Sequence, residues 1–263
     1  MRVAVISDVH ANPHALTNVL HQAKMQKCEH IICLGDIVGY GYDPNGCIEI
    51  CKQHKIECIK GNHDAGLIGE LSLDWFNETA RRQVLAHRPL VTEENKEWVR
   101  RLPLFIEKDY GGIKYAFSHG TYLFPERFEY IDGAFSAATE MDVIRNNCID
   151  ALFVGHTHEA CAYYRDESIS GNVHCLWMHN EKSFKSMIKT HDWSEAVFNP
   201  GSIGYPRRQE FCYYIILDTE TGIVEWRRLP MCLTEYRDRL LSAGMQVPIW
   251  VESRIYESSN KED

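Results

Sequence analysis

Five short stretches of this chain carry side chains that bind cations through oxygen and nitrogen. They are Asp8-Val9-His10, Gly35-Asp36, Gly61-Asn62-His63-Asp64, Ser118-His119 and Gly155-His156-Thr157-His158. Carboxylates, carboxamides and imidazoles ligate divalent ions, and the same carboxylates and imidazoles can move protons. A single Asp-x-His reads equally well as a turn carboxylate and a surface histidine. Five such stretches in one chain argue for one shared site.

The elements that must position them are visible just upstream. Residues 3–6, 31–34, 56–59, 113–117 and 151–154 are short apolar runs, the first β-branched at Val3, Val5 and Ile6. Such runs read as strands buried in a parallel sheet. Each leads into one of the five stretches, usually beside a glycine. In open α/β sheets, ligands bind beyond the carboxyl ends of the strands. The chain therefore repeats one device: an apolar strand that ends on a potential metal ligand.

In type, spacing and order these five blocks resemble those of the calcineurin-like metallophosphoesterase superfamily. Asn199-Pro200-Gly201-Ser202 with Pro206-Arg207 resembles a later block of its small prokaryotic phosphodiesterase branch. The resemblance implies an α/β fold, a layered α/β/β/α sandwich. It also implies two divalent transition-metal ions. Asp36 would bridge them; Asp8, His10 and His158 would complete one site, and Asn62, His119 and His156 the other. Two ions about 3.5–4 Å apart can polarise a phosphoryl oxygen and generate hydroxide at neutral pH. Mixed nitrogen and oxygen ligation without thiolate suits Mn²⁺, Fe²⁺, Zn²⁺, Co²⁺ or Ni²⁺, and we expect Mn²⁺.

His63 is left without a metal in that scheme. By resemblance it faces the phosphate, as a general acid or as a donor to equatorial charge. Asp64 reads either as the carboxylate that orients the His63 imidazole or as an ordinary turn residue. Arg207 and Arg208 follow a Gly-Pro-rich loop, where a guanidinium can clamp a substrate phosphate or form a surface ion pair.

Composition narrows the field. The 263 residues suit one domain, read as 1–263 with residues 70–103 as a helical cap inserted after the third block. A net charge of −9 and a pI near 5.8 supply no basic field for a nucleic-acid polymer. No apolar run reaches membrane-spanning length, and the N-terminus enters a strand directly, so the expected location is the cytoplasm. Ten cysteines do not form a disulfide framework in that compartment. Cys33 and Cys58 fall in buried strands, and Cys47 and Cys51 are an i, i+4 pair on a helix without a second pair to complete a zinc knuckle.

Elsewhere, Asn12 and Asp43 are placed to cap helices that begin at Pro13 and Pro44. Gly39-Tyr40-Gly41-Tyr42 reads as a mobile, aromatic-bearing loop. Residues 73–87 and 92–102 have helical spacing, punctuated by Pro89 and Pro103, and are expected to overhang the site. Residues 133–147 form another helix. Beyond 160 the pattern predicts largely antiparallel strands at 162–165, 173–178, 197–198, 213–217 and 224–228. A polar excursion is expected at 180–194, a last helix at 234–243 and a frayed tail from Ser258.

The leading function is a dinuclear phosphohydrolase acting on small phosphodiesters or nucleotides. The alternatives are a phosphomonoesterase, including a phosphoprotein phosphatase, a non-enzymatic scaffold, and a nucleotide or metal sensor. The complete ligand set argues against the scaffold. The sequence leaves the oligomeric state open.

Overall fold

The computed structural model describes residues 1–165, 172–178, 187–189, 195–207 and 211–259. Two six-stranded mixed sheets face each other. In the first, β1 (Arg2–Ile6), β2 (His30–Cys33) and β3 (Glu57–Cys58) run parallel. β11 (Phe211–Asp218), β12 (Ile223–Pro230) and β9 (Met187–Lys189) extend it antiparallel, giving the order β3-β2-β1-β11-β12-β9. The second has the order β4-β5-β6-β10-β7-β8, from Phe105–Tyr110, Ile113–Ser118, Ala151–Phe153, Ala196–Asn199, Cys161–Arg165 and Val173–Trp177 respectively. Within it β5, β6 and β10 are parallel, and the outer pairs are antiparallel.

Side-chain alternation builds the layers. Val3 and Val5 of β1, Ile215 and Leu217 of β11, Phe117 of β5, Phe153 of β6 and Phe198 of β10 point between the sheets into one core. Ile6, Cys212, Tyr214 and Ile216 point the other way, onto α1 (Pro13–Met25) and α2 (Pro44–Gln53). Leu152, Val154 and Val197 face α6 (Ala134–Asn146) on the outer side of the second sheet. The result is the α/β/β/α sandwich expected from the sequence. Fully buried Trp226 fastens the two sheets, its indole N–H donating to Asn199 O at 2.8 Å. Truncating such a side chain to alanine costs about 3–5 kcal/mol.

The caps lie where the sequence places them. Asn12 accepts from Ala15 N at 3.1 Å and Asp43 from Gly46 N at 2.8 Å. Cys47, Ile48 and Cys51 are buried against the first sheet, and all ten cysteines are free thiols.

Several expectations change. The third block opens a helix, α3 (Asn62–Ile68), that hydrophobic spacing does not announce because it is short and glycine-interrupted. Residues 73–87 are not one helix. They divide into a 3-10 turn at Leu73–Trp75 and α4 (Glu78–His87), separated where Asn77 caps α4 by accepting from Ala80 N. α5 (Glu93–Arg100), capped by Thr92, packs Val99 into the core beneath α1 and α2. β4 pairs with β5 across Gly111 and Gly112, and the alternating but exposed β4 sequence gives little apolar signal. β10 pairs parallel with β6, an exception among the late strands. Within 180–194, residues 187–189 are an edge strand against β12, and the rest lies outside the described residues. α7 (Leu233–Ser242) is the expected late helix, but α8 (Ile249–Ser259) follows and includes Ser258.

Candidate metal centre

The five blocks converge at the carboxyl ends of β1, β2, β3, β5 and β6. Three sets of groups bring their ligand atoms within 4.8 Å of one another: Asp8, His10 and His158; His10, Asp36 and His63; and Asp36, His119 and His156. All are buried. Asp8, His10, Asp36, His156 and His158 are also non-glycine residues with φ between 46° and 67°. That left-handed backbone is uncommon, and it persists where the surroundings over-determine it. Here the loops brace one another. His10 N donates to Asp36 O at 2.9 Å, Gly155 N to His119 O at 2.9 Å and Gly204 N to Asp8 O at 3.0 Å. Ser202 Oγ donates to Asp8 O and Asn199 Nδ2 to Gly155 O. A Cβ on Gly155 would lie 2.0 Å from Ser7 Oγ and 2.8 Å from Asp8 Oδ2, so only glycine lets these loops meet.

Hydrogen bonds fix three imidazoles. His10 Nδ1 lies 3.1 Å from Val38 O, His119 Nδ1 2.7 Å from Leu34 O and His158 Nδ1 2.7 Å from Tyr205 O. A carbonyl only accepts, so each Nδ1 donates and each ring turns its Nε2 inward. The His10 and His158 Nε2 atoms are 3.0 Å apart. Asp8 Oδ1 is 3.2 Å from the latter and is buried without a hydrogen-bond partner. His119 Nε2 faces Asn62 Oδ1 at 3.1 Å and Asp36 Oδ2 at 3.4 Å. Lone pairs gathered this way repel unless a cation lies among them, so the donor set fits divalent metal.

The electrostatics agree. Burial opposes ionisation of Asp8, but His158 and His10 hold its carboxyl well below the usual range. Asp36 is likewise lowered against burial, by His119 and His63. Burial pushes His158 down to about 4 and, with the His119 charge, His156 down to about 3, leaving both neutral. Burial also opposes the charge on His119, yet Asp36 raises its imidazole to about 9. The field that attracts that proton would equally attract a metal cation.

His63 differs from these rings. Its Nδ1 is buried with no hydrogen-bond partner, and its Nε2 is 4.0 Å from Asp36 Oδ2. Burial drives its pKa well down. Its main-chain N donates to Asp36 Oδ1 at 2.8 Å. Asp64 does not orient the ring. Its carboxylate accepts from Ile37 N at 3.0 Å, Val38 N at 3.2 Å and Gly61 N at 3.0 Å, tying the loop after Asp36 to the start of α3. Being the third residue of that helix turns its side chain back to the cap. Burial and the Asp36 charge raise its pKa to about 6.

A cavity of about 280 Å³ opens over the cluster. Arg207 reaches it from one side. Its charge is favoured against burial by Tyr40, Tyr130 and Asp8, and among the described residues no carboxylate lies within ion-pair distance of it. Arg208 lies outside the described residues. Tyr130 stacks on His156 at 3.8 Å and Tyr40 on Tyr205 at 4.1 Å. Leu71, Trp75, Phe76, Ala80 and Arg127 also line the cavity. The sequence reading missed Tyr130, Tyr205 and Arg127, which carry no motif. It also treated the Tyr40 loop as mobile, whereas Tyr40 is only 4% exposed.

A sequence profile of the calcineurin-like phosphoesterase superfamily domain matches residues 1–222. An uncharacterised protein of Methanocaldococcus jannaschii is 34% identical over 255 residues, covering 97% of each chain. Among solved structures, a metallophosphoesterase from Sphaerobacter thermophilus matches with a TM-score of 0.74 at 29% identity, over 97% of this chain and 98% of that one. A hypothetical protein from Pyrococcus horikoshii OT3 matches with a TM-score of 0.71 at 20% identity, over 95% of each chain, and shares the fold. No helix among the described residues is long and apolar enough to cross a membrane.

Proposed function

The chain belongs to the calcineurin-like phosphoesterase superfamily and is a phosphoric ester hydrolase, and we propose that it is a dinuclear phosphodiesterase acting on small phosphodiesters or nucleotides. The observation that carries the dinuclear reading is the placement of Asp36 Oδ2, 3.4 Å from His119 Nε2 and 3.8 Å from His10 Nε2. That oxygen stands between the two ligand groups, where a bridging carboxylate belongs. In this reading Asp8, His10 and His158 would hold one ion with Asp36, and Asn62, His119 and His156 would hold the other. Mn²⁺ is the expected metal, given oxygen and neutral imidazole donors without thiolate. Two bound ions would supply Lewis acidity to a phosphoryl oxygen and lower the pKa of water.

The chain's own residues do the remaining work. Asp8 and Asp36, both held anionic, would offset the charge of the ions. Arg207, with no carboxylate in ion-pair distance among the described residues, binds a non-bridging oxygen of the substrate phosphate. His63 carries no fixing carbonyl on Nδ1, so its ring is free of the constraint that sets the ligands' tautomers. Held beside Asp36, it donates to the leaving oxygen or to the equatorial oxygens.

Support for a small substrate comes from the shape and chemistry of the cavity. Residues 70–103 act as a cap whose first half, through Trp75 and Phe76, walls the cavity, while α5 packs into the core. Five aromatic residues, Tyr40, Trp75, Phe76, Phe128 and Tyr130, line it with Arg127 and Arg207, a combination that suits a base joined to a phosphate. The net charge of −9 disfavours a long polyanion. Ten free thiols fit a reducing compartment, and we place the protein in the cytoplasm.

The test is turnover of Mn²⁺-loaded protein on matched nitrophenyl diesters and monoesters. Faster turnover of the diester supports the proposal. A clear preference for the monoester would replace it with a phosphomonoesterase.

A further inference from the structure

Tyr40 sits in a conformation that a bulky residue rarely adopts. Its φ is 54°, and Gly41 N donates to Gly39 O at 2.6 Å, closing a three-residue turn with Tyr40 at its apex. A γ-turn with positive φ at its centre is the strained form. The turn is pressed against the metal centre on both sides. A Cβ on Gly39 would come within 2.1 Å of His63 Nδ1, and one on Gly41 within 2.1 Å of His10 O. The Tyr40 ring lies 4.8 Å from the His10 ring and 4.8 Å from the His63 ring, and stacks on Tyr205.

The residue that grips this turn comes from α4. His87 is fully buried and is the last residue of that helix. Gly39 N donates to its Nδ1 at 3.1 Å, and its Nε2 lies 3.1 Å from Gly41 O. An Nδ1 that accepts leaves the ring proton on Nε2, which donates to the carbonyl. One neutral imidazole thus ties together the two residues that flank Tyr40. Burial lowers its pKa to about 4, which keeps it in that neutral form.

We propose that His87 is a positioning residue of the phosphoester site, acting through the Gly39–Gly41 turn to hold Tyr40 against His63 and His10. Without the clamp the strained turn relaxes, Tyr40 leaves its stack on Tyr205, and the His63 ring loses one wall of its box. The kinetic arm of the test rests on the hydrolase reading; the exchange arm does not.

The experiment compares wild type with His87→Phe, His87→Asn and His87→Gln, all metal-loaded. His87→Phe removes both hydrogen bonds and keeps an aromatic ring. His87→Asn retains an acceptor near the Nδ1 position, and His87→Gln a donor near the Nε2 position. Hydrogen exchange read by mass spectrometry should quicken about tenfold or more in the peptide spanning residues 37–42 of His87→Phe and stay unchanged in β1 and α1. Metal content should stay at wild-type level. kcat should fall about tenfold with KM within about twofold, and His87→Asn or His87→Gln should recover part of it. In a Tyr40→Leu background, His87→Phe should cost nothing further.

Unchanged exchange at 37–42 overturns the proposal, as does faster exchange spread through the whole sheet, which marks a merely structural role. Multiplying losses in the double variant also overturn it. Should His87→Phe not fold, His87→Asn and His87→Gln are read by the same criteria. Should the wild type lack turnover, the function proposed above fails while the exchange result still decides the role of His87.

Discussion

The Nε2 atoms of His10 and His158 face each other at 3.0 Å, each ring already committed to donate its Nδ1 proton to a backbone carbonyl. Two inward lone pairs at that distance beside Asp8 define a seat for positive charge. Chelation should therefore abolish hydrolysis and also lower the thermal unfolding midpoint, because a ligand that binds only the folded chain stabilises it. Equal midpoints with and without chelator would show that the imidazole pair holds no ion.

His63 and Asp36 should separate cleanly. His63→Ala is expected to retain wild-type metal content and lose turnover about 10²–10⁴-fold on substrates with a poor alkoxide leaving group. The loss should shrink for nitrophenolate, which needs little protonation. Asp36→Asn should lose metal, because the oxygen between the two ligand groups loses its charge. Metal analysis and leaving-group comparison check both. Equal metal loss in the two variants would make His63 a ligand.

Trp75 is 82% exposed and lines the cavity from the 3-10 turn at Leu73–Trp75. If it is a platform for a nucleobase, Trp75→Ala should raise KM for a nucleoside diester about tenfold, in line with about 1–3 kcal/mol for stacking on one base. KM for glycerophosphodiesters should not move. A uniform effect on both would remove the base from the binding argument.

Acid should test the His87 environment through stability. Its pKa falls from 6.5 to about 4 on folding, so between those values the unfolded chain binds more protons than the folded one. The contribution of His87 is complete above pH 6.5 and is lost as pH falls towards 4, to a total of about 3 kcal/mol. Unfolding free energies of wild type minus His87→Asn should fall across that window, while the buried histidines and aspartates of the candidate metal centre, common to both proteins, cancel. A flat difference would mean that His87 is not buried and neutral.

What the sequence made legible follows from where the free energy sits. Continuous apolar runs such as residues 3–6 and 151–154 reveal strands buried on both faces, and a candidate ligand at each end reveals the site. α3 escaped because seven residues with an internal glycine show no apolar stripe, and its N-terminal residues are better known by their chemistry. Of the two readings open for Asp64, its neighbour His63 suggests an imidazole partner, but the position it holds in the first helical turn sends its oxygens to main-chain N–H groups. β4 escaped because its exposed alternation buries little. Tyr130, Tyr205 and His87 were invisible since each acts through a contact made across the fold, and the positive φ shared by five candidate ligand positions leaves no trace in residue type.

β1 lies between β2 and β11, and its antiparallel partner spans Phe211–Asp218. During synthesis, the strand that leads into Asp8 and His10 precedes its second neighbour by some two hundred residues. Pairing at that separation is slow, and an apolar edge left open meanwhile invites association with other chains. The nascent protein is therefore most vulnerable to aggregation just before the β11–β12 hairpin leaves the ribosome, and truncations that remove β11 should accumulate as insoluble material.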